Sequence, residues 1–426
     1  MAIDNKDKKV LKSSIEREQN EPACSAEREK IKGSKNLNVP HLRFPEFSGE
    51  WNKYTINDLA TVVGGGTPDT TVKSYWGGDI QWFTPSEIGK NKYVDFSKRT
   101  ITRDGLDNSS AKLLPLHTIL LSFRATVGEC SIASNECTTN QGFQSLIAKQ
   151  CNIDFLYYLI QTKKKDLIRN ACGSTFLEIS ANEIRKIKVA VPVQNEQEQI
   201  AKLLSLIDER IATQNKIIEK LQSLIKGLVD ELMTVLLKGK LYPFSSFYIK
   251  AGEGGTPTTS VVEYYTEGTI PFIKIEDLSC KYLTNNKDFI TELGMQKSSA
   301  WLIPSKSVIY SNGATIGAIS INEYPVCTKQ GILGIVPNTN INVEYLYLLM
   351  SSSYFSKEIS RIITEGTMKT AYLKDINHIK CPLPSMAQQK NITNLTSSIE
   401  EKLSIEQELL RFLNLQKQYL LHMIFI

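Results

Sequence analysis

A chain of 426 residues, 41% hydrophobic and 22% charged, has the make-up of an ordinary folded protein with room for two or three cores. No apolar run approaches the roughly 20 residues of a membrane span, and the opening MAIDNKDKKVLKSSIEREQ is too polar for a secretion signal, so a cytoplasmic protein without membrane association is expected. Cysteines at 24, 130, 137, 151, 172, 280, 327 and 381 form no CxxC pair and read as reduced, mostly buried thiols, while a net charge of +5 permits a polyanionic partner without requiring one.

Along the chain, residues 1–38 carry both charge signs, few aromatics and no apolar period, which predicts a flexible leader. Residues 39–193 form a first domain. Short β-branched and aromatic runs such as ILLSFRATVG, starting at Ile119, alternate there with Gly, Pro, Asn and Asp, as strands and turns do, before a helical stretch over 155–169. Pro192 ends its last strand.

From 194 to 240 the pattern changes to a spacer helix. Ile200, Leu204, Ile207, Ile211, Gln214, Ile218, Leu221, Ile225, Leu228, Leu232 and Val235 follow alternating steps of four and three, the seam of a coiled coil, with only Gln214 polar. A second domain over 241–385 repeats the strand-and-turn texture, includes a helical stretch over 345–363 and ends at Pro384. A C-terminal spacer helix over 386–426 carries a weaker seam in register. Adding 192 to the first seam gives Ile392, Thr396, Ile399, Leu403, Glu406, Leu410, Leu413, Lys417, Leu420 and Ile424.

The domains are themselves copies. GGTP at Gly65 recurs at Gly254, and 254 − 65 = 189; Ser122 meets Ser311, Ala125 meets Ala314 and Gly128 meets Gly317 at that same offset, and TTNQG from Thr138 meets CTKQG from Cys327. The chain is a tandem duplication. Because 214 + 192 = 406, Gln214 and Glu406 are equivalents near the middle of their helices, and antiparallel pairing within the chain would bring them together. The fold expected is α+β: two similar mixed α/β domains joined by two long antiparallel coiled-coil helices with internal pseudo-twofold symmetry.

These features resemble the specificity subunit of type I restriction-modification systems. The resemblance is carried by Leu42-Arg43-Phe44-Pro45 with Trp51, the two GGTP turns with Tyr75-Trp76 and Tyr264-Tyr265, the ATxG turns at Ala125 and Ala314, and the Gln-Glu-Gln and Ala-Gln-Gln helix starts at 197 and 387. It implies two target-recognition domains that read double-stranded DNA without catalysis, two bound methyltransferase (M) subunits, and restriction (R) subunits in the full nuclease. S-adenosylmethionine, ATP and magnesium would then belong to those partners, and this chain would need no cofactor.

The residues agree. GGGTP lacks the GxxxxGK[ST] and GxGxxG phosphate patterns, so its glycines read as freedom for a tight turn. No Asn-Pro-Pro-aromatic or Gly-x-Ser-x-Gly motif is present, and histidines at 41, 117, 378 and 422 are too scattered for a triad or metal site. Basic residues suited to phosphates occur at Lys90, Lys92, Lys98, Arg99 and Arg103, at Lys163, Lys164, Lys165 and Arg169, and at Arg185, Lys186 and Lys188.

Domains reading different half-sites must differ where they touch bases. Phe123-Arg124 becomes Asn312-Gly313, Asn140 becomes Lys329, Thr84 becomes Lys274, and Ser174-Thr175-Phe176 faces Thr367-Met368-Lys369. The DNA contacts expected are therefore Lys90, Lys92, Arg124, Asn140, Gln141, Lys274, Asn312, Lys329, Gln330 and Lys369. A helix of roughly 60 Å between two readers implies a bipartite target with an unread spacer. The competing readings are a protein-interaction scaffold of two modules on a coiled coil, and an enzyme using the GGTP turns as an anion site.

Overall fold

The computed structural model describes residues 38–124, 126–169, 171, 179–363 and 369–426. The expected leader, apart from Asn38, lies outside the described residues, as do Ala125, Ser174, Thr175, Phe176, Thr367 and Met368.

The strands of the first domain are β1 (Asn52–Thr55), β2 (Ala60–Gly64), β3 (Trp76–Phe83), β4 (Tyr93–Val94), β5 (Arg99–Ile101), β6 (Ile119–Leu121), β7 (Cys130–Ala133), β8 (Cys137–Thr139), β9 (Gln144–Ala148) and β10 (Lys188–Val191). They form sheets ordered β2-β9-β6-β7-β4, β5-β3-β8 and β1-β10. Those of the second are β11 (Leu241–Pro243), β12 (Tyr248–Glu253), β13 (Ile270–Ile273), β14 (Tyr282–Leu283), β15 (Asp288–Ile290), β16 (Val308–Ser311), β17 (Ile319–Asn322), β18 (Cys327–Thr328), β19 (Ile332–Pro337) and β20 (Lys380–Pro382). Their sheets run β12-β19-β16-β17-β14, β15-β13-β18 and β11-β20. Ten added to each strand number turns one domain into the other, so the duplication extends to topology.

Each five-stranded sheet divides two cores by the period-2 alternation of its middle strand. Ile119 and Leu121 of β6 face the large core that holds Trp51, Phe155 and Tyr158, whereas Leu120 faces a smaller core with Phe83 and Phe143. Val308 and Tyr310 of β16 face Phe244 and Tyr345, while Ile309 faces Ile273 and Ile332.

The two expected helical stretches are each broken in two. Ile153–Thr162 is followed by Lys164–Arg169, and Val343–Ser351 by Ser353–Ile362. In the second, the Ser352 hydroxyl accepts from Phe355 N at 3.2 Å, starting a new helix where the apolar pattern alone suggested continuity.

The central helix is Gln194–Leu236 and the C-terminal helix is Met386–Ile424. The chain forms two compact units, residues 1–211 with 413–426, and residues 212–412. In the first unit Ile200 and Leu204 share a core with Ile424 and Phe425, and Lys417 Nζ lies 2.7 Å from Asp208 Oδ1. In the second, Val229 and Met233 share a core with Ile392. There Gln214 Nε2 donates to Glu406 O at 2.9 Å and to Glu406 Oε2 at 2.5 Å. In each unit contacts on one helix climb as those on the other descend, so the segments run antiparallel, and the two equivalent polar residues meet as expected.

The seam largely follows its predicted positions. Ile200, Leu204, Ile207, Gln214, Ile218 and Leu221 are buried, with Ile211 half-buried. On the C-terminal helix Ile392, Thr396, Leu413 and Ile424 are buried, and Ile399, Leu403, Glu406, Leu410, Lys417 and Leu420 half-buried. Thr396 is tolerated there because its hydroxyl donates to Thr393 O at 3.0 Å. Val235 departs from the pattern at 62% exposure, and Val229 and Met233 are buried instead. After Leu221 the inward positions 225, 229, 233 and 236 follow the helix's own period of about 3.6, because this end packs on a globular core rather than along a partner helix.

Buried polar residues at the helix starts lock each domain to its rod. Gln197 donates to Pro192 O at 2.9 Å and accepts from Asn152 N at 2.9 Å. Its equivalent Gln389 donates to Pro384 O at 2.9 Å and accepts from Asn342 N at 2.7 Å. In the first domain alone, Arg43 grips the buried Glu196 with two 2.8 Å bonds, and Trp51 Nε1 adds a third at 3.2 Å. The position equivalent to Glu196 is Gln388, since 196 + 192 = 388, and it caps its helix from Ser385 instead.

Candidate nucleic-acid interface

The GGTP turns are built by close approach of backbones. Gly65 N donates to Phe143 O at 3.3 Å and Gly66 N to Thr139 O at 2.8 Å. A Cβ at Gly65 would stand 2.0 Å from Asn140 O, and one at Gly66 2.4 Å from Ala111 N. Gly254 repeats this, with its N–H on Ile332 O at 2.9 Å and a Cβ position 2.1 Å from Thr328 O. None of the three has a positive φ, so the turn-freedom reading is corrected: glycine is needed here because a side chain would not fit. Their amides already serve carbonyls, which removes the donors an anion site would need.

That approach gathers the loops that differ between the halves. In the first domain Asn140 N donates to Phe83 O at 3.0 Å, and Asn140 Oδ1 accepts from Gly142 N at 2.8 Å. The Thr67 hydroxyl donates to Gln141 Oε1, and Phe123 N donates to Gly142 O at 3.0 Å. Exposed Arg124, half-buried Asn140 and exposed Gln141 therefore border one surface with Thr67. In the second domain Lys329 N donates to Ile273 O at 3.0 Å, Gly331 N donates to Glu253 Oε1 at 2.6 Å, and Gly313 bridges Thr370. Lys274, Lys329, Gln330 and Lys369 collect around the same place, the last three exposed.

Two of the expected contacts face inward. Asn312 is 1% exposed, and its Nδ2 donates to Ala371 O at 3.1 Å. Its equivalent Phe123 is also buried, and that apolar residue at the paired position was the available signal. Lys92 is taken up by its own domain: Nζ lies 2.8 Å from Asp154 Oδ1, donates to Ser205 Oγ at 2.6 Å and sits 4.8 Å from the Tyr158 ring centroid. Its equivalent Lys281 (281 − 92 = 189) bridges Glu344 and Glu400, each at 2.5 Å. Each lysine joins a short strand to a long helix. Burial acts to lower the Lys281 pKa, but the hydrogen bonds it donates to the two carboxylates outweigh it and hold the ammonium above the usual lysine range.

Other basic residues have partners too. Lys274 Nζ is 2.9 Å from Asp288 Oδ2, and that bond raises its pKa against a smaller opposing effect of burial. Lys164 pairs with Glu129, Arg169 with Asp166 and Lys186 with Glu183. Lys163 donates to Ile426 O at 2.8 Å. Lys90 is exposed on the loop before β4. Sequence reasoning missed the Thr67–Gln141 contact and the stacking of Arg99 on Trp76, neither of which has a local pattern.

Among the described residues no group of three or more His, Cys, Asp or Glu is placed to hold a metal ion, and no helix is long and apolar enough to cross a membrane. Burial pushes the thiols of Cys130, Cys137, Cys151 and Cys381 up to about 12, so they stay protonated at neutral pH.

The two domains share one scaffold and differ in the loops beside the GGTP turn. Residues 48–223 and 247–414 match the type I restriction modification DNA specificity domain, and the chain belongs to that family, carrying its domain twice. It is similar to the type I restriction enzyme MjaIX specificity subunit of Methanocaldococcus jannaschii, 29% identical over 382 residues that span 83% of this chain and 88% of the relative. It is also similar to that organism's MjaVIII specificity subunit, 24% identical over 402 residues, spanning 86% and 89%. The fold is shared with the crystal structure of a type I restriction-modification S subunit from M. genitalium, at a TM-score of 0.51 and 19% identity, covering 91% of this chain and 99% of that one. It is shared as well with a structure describing complex assembly and conformational transition of the type I R-M system, at a TM-score of 0.54 and 13% identity, covering 87% and 96%.

Proposed function

We propose that this chain is the DNA sequence-specificity subunit of a type I restriction-modification complex, reading a bipartite double-stranded target in the cytoplasm with one domain per half-site. One observation carries this reading: the same loops converge beside the GGTP turn in both domains, yet present Arg124, Asn140 and Gln141 in one and Lys274, Lys329, Gln330 and Lys369 in the other. Arg, Lys, Asn and Gln are the side chains that match base edges in the major groove. Phosphate attraction supplies affinity, and these differences supply sequence.

Catalysis resides in two methyltransferase subunits and the restriction subunits, with S-adenosylmethionine, ATP and magnesium bound there. Exposed Leu395, Ile405, Leu409 and Phe412 give the C-terminal helix an apolar outer face for such a partner. That face also suits the protein-scaffold reading, so the test must be DNA itself. In a fluorescence-anisotropy titration with mixed-sequence duplex, the full chain should bind, and log K should fall linearly with log salt by about 0.9 per phosphate contact. Lack of binding, or binding indifferent to salt, would refute the DNA-reading assignment.

A further inference from the structure

One cation of the first domain is held by an aromatic stack and replaced in the second domain by an acidic residue. Arg99, exposed on β5, has its Cζ 3.6 Å from the Trp76 ring centroid and 5.6 Å from that of Trp82. The two indoles meet edge to face at 5.0 Å. Both are tied to the GGTP segment, for Trp82 Nε1 donates to Gly66 O at 2.9 Å and Trp76 Nε1 to Asp69 O at 3.1 Å. Between those anchors, Thr67 holds Gln141. Arg99 is therefore fixed in the same block as the reading loops.

Arg103 lies 3.4 Å from Asp107, and Lys92 and Lys164 are paired as described. Among the described residues no carboxylate or other acceptor pairs with the Arg99 guanidinium. Stacking sets the plane of the group and leaves an N–H edge outward, a fork that fits two acceptors at once.

The second domain reverses this feature. Since 99 + 189 = 288, the equivalent residue is Asp288, which pairs with Lys274 at 2.9 Å. Trp76 becomes Tyr265, whose hydroxyl donates to Pro257 O at 2.5 Å. The sugar-phosphate backbone is alike at both half-sites, so a phosphate contact would be wanted in both domains. A charge inverted between two readers marks a contact that depends on the base.

We infer that Arg99, held flat on Trp76, reads a guanine in the half-site of the first domain by donating to its O6 and N7. The inference rests on the DNA-reading assignment above, and the test separates the two. Duplexes bound by the full chain are selected from a random-sequence library for wild type, Arg99→Ala and Arg99→Lys.

Wild type should enrich a fixed guanine in one half-site, and Arg99→Ala should reduce the preference for it by about 10- to 100-fold. All other positions should persist, including the second half-site, which also shows that the variant is folded. Arg99→Lys, keeping the charge without the planar stack, should retain the salt dependence and lose most of the guanine preference.

A wild-type motif unchanged in Arg99→Ala defeats this inference alone. So does a uniform loss of affinity for every sequence with a salt slope lower by about one, because that is the signature of a phosphate contact. If wild type enriches no sequence, the DNA-reading assignment falls, and this inference with it.

Discussion

Replacing Lys281 by Met removes the one cation between two carboxylates while keeping most of the stem's volume. Lys281, Glu344 and Glu400 have side-chain exposures of 16%, 24% and 18%, with both N–O distances at 2.5 Å. Removing one partner of a fully buried ion pair costs about 3–5 kcal/mol, because the opposite charge is left uncompensated. Water reaches this site in part, which reduces the expected cost to about 2–3 kcal/mol. In a unit of about 200 residues that corresponds to roughly 4–12 °C in Tm, measurable by scanning calorimetry of the full chain at pH 7.

The pH dependence has a definite sign. With its folded pKa raised above 10.5, wild-type Lys281 contributes fully below that value and loses its contribution only as pH climbs through the folded pKa. In Lys281→Met the two facing carboxylates are left without a cation between them. Adding Glu344→Gln and Glu400→Gln should recover most of the loss. A Tm within about 1–2 °C of wild type, or a triple variant no better than the single one, would refute this role for Lys281.

Two other sites give contrasting expectations. Gln214→Leu strands the Glu406 carboxylate in the seam and should cost about 1–3 kcal/mol in urea unfolding, with Glu406→Leu restoring it; failure of the double variant to recover argues against the pairing. Gly254→Ala places a Cβ 2.1 Å from Thr328 O and should cost about 1–3 kcal/mol together with sequence preference in one half-site. Gly227→Ala, in the central helix with nothing within 4 Å of the added Cβ, should instead stabilise by about 0.5–1 kcal/mol. Equal effects of the two substitutions would contradict the steric account of the GGTP turn.

The repeat was legible because offsets of 189 and 192 survive in residues that build turns, strands and seams, and these demands are local. The meeting of Gln214 with Glu406 followed from the same arithmetic. Long-range packing was less legible. Val235 satisfies the heptad count, yet the helix has by then turned its inner face onto the second domain's core, which Val229 and Met233 occupy instead. Asn312 looked like an adenine reader by residue type, whereas the carbonyl that claims it belongs to Ala371, 59 positions away. Lys92 looked like one of several surface cations, and only the fold brings Asp154 and Ser205 to it. Arg99 failed to stand out for the converse reason, since its significance lies in a ring 23 positions earlier (99 − 76 = 23).

Methylated adenines can be mapped in DNA from a host that expresses this chain with its cognate methyltransferase, both intact and with one heptad inserted into the central helix between Ile200 and Leu221. A two-part motif with an unread gap is expected from the intact chain, and an altered gap with both half-sites retained after the insertion. A single continuous motif, or a gap indifferent to the longer helix, would contradict it.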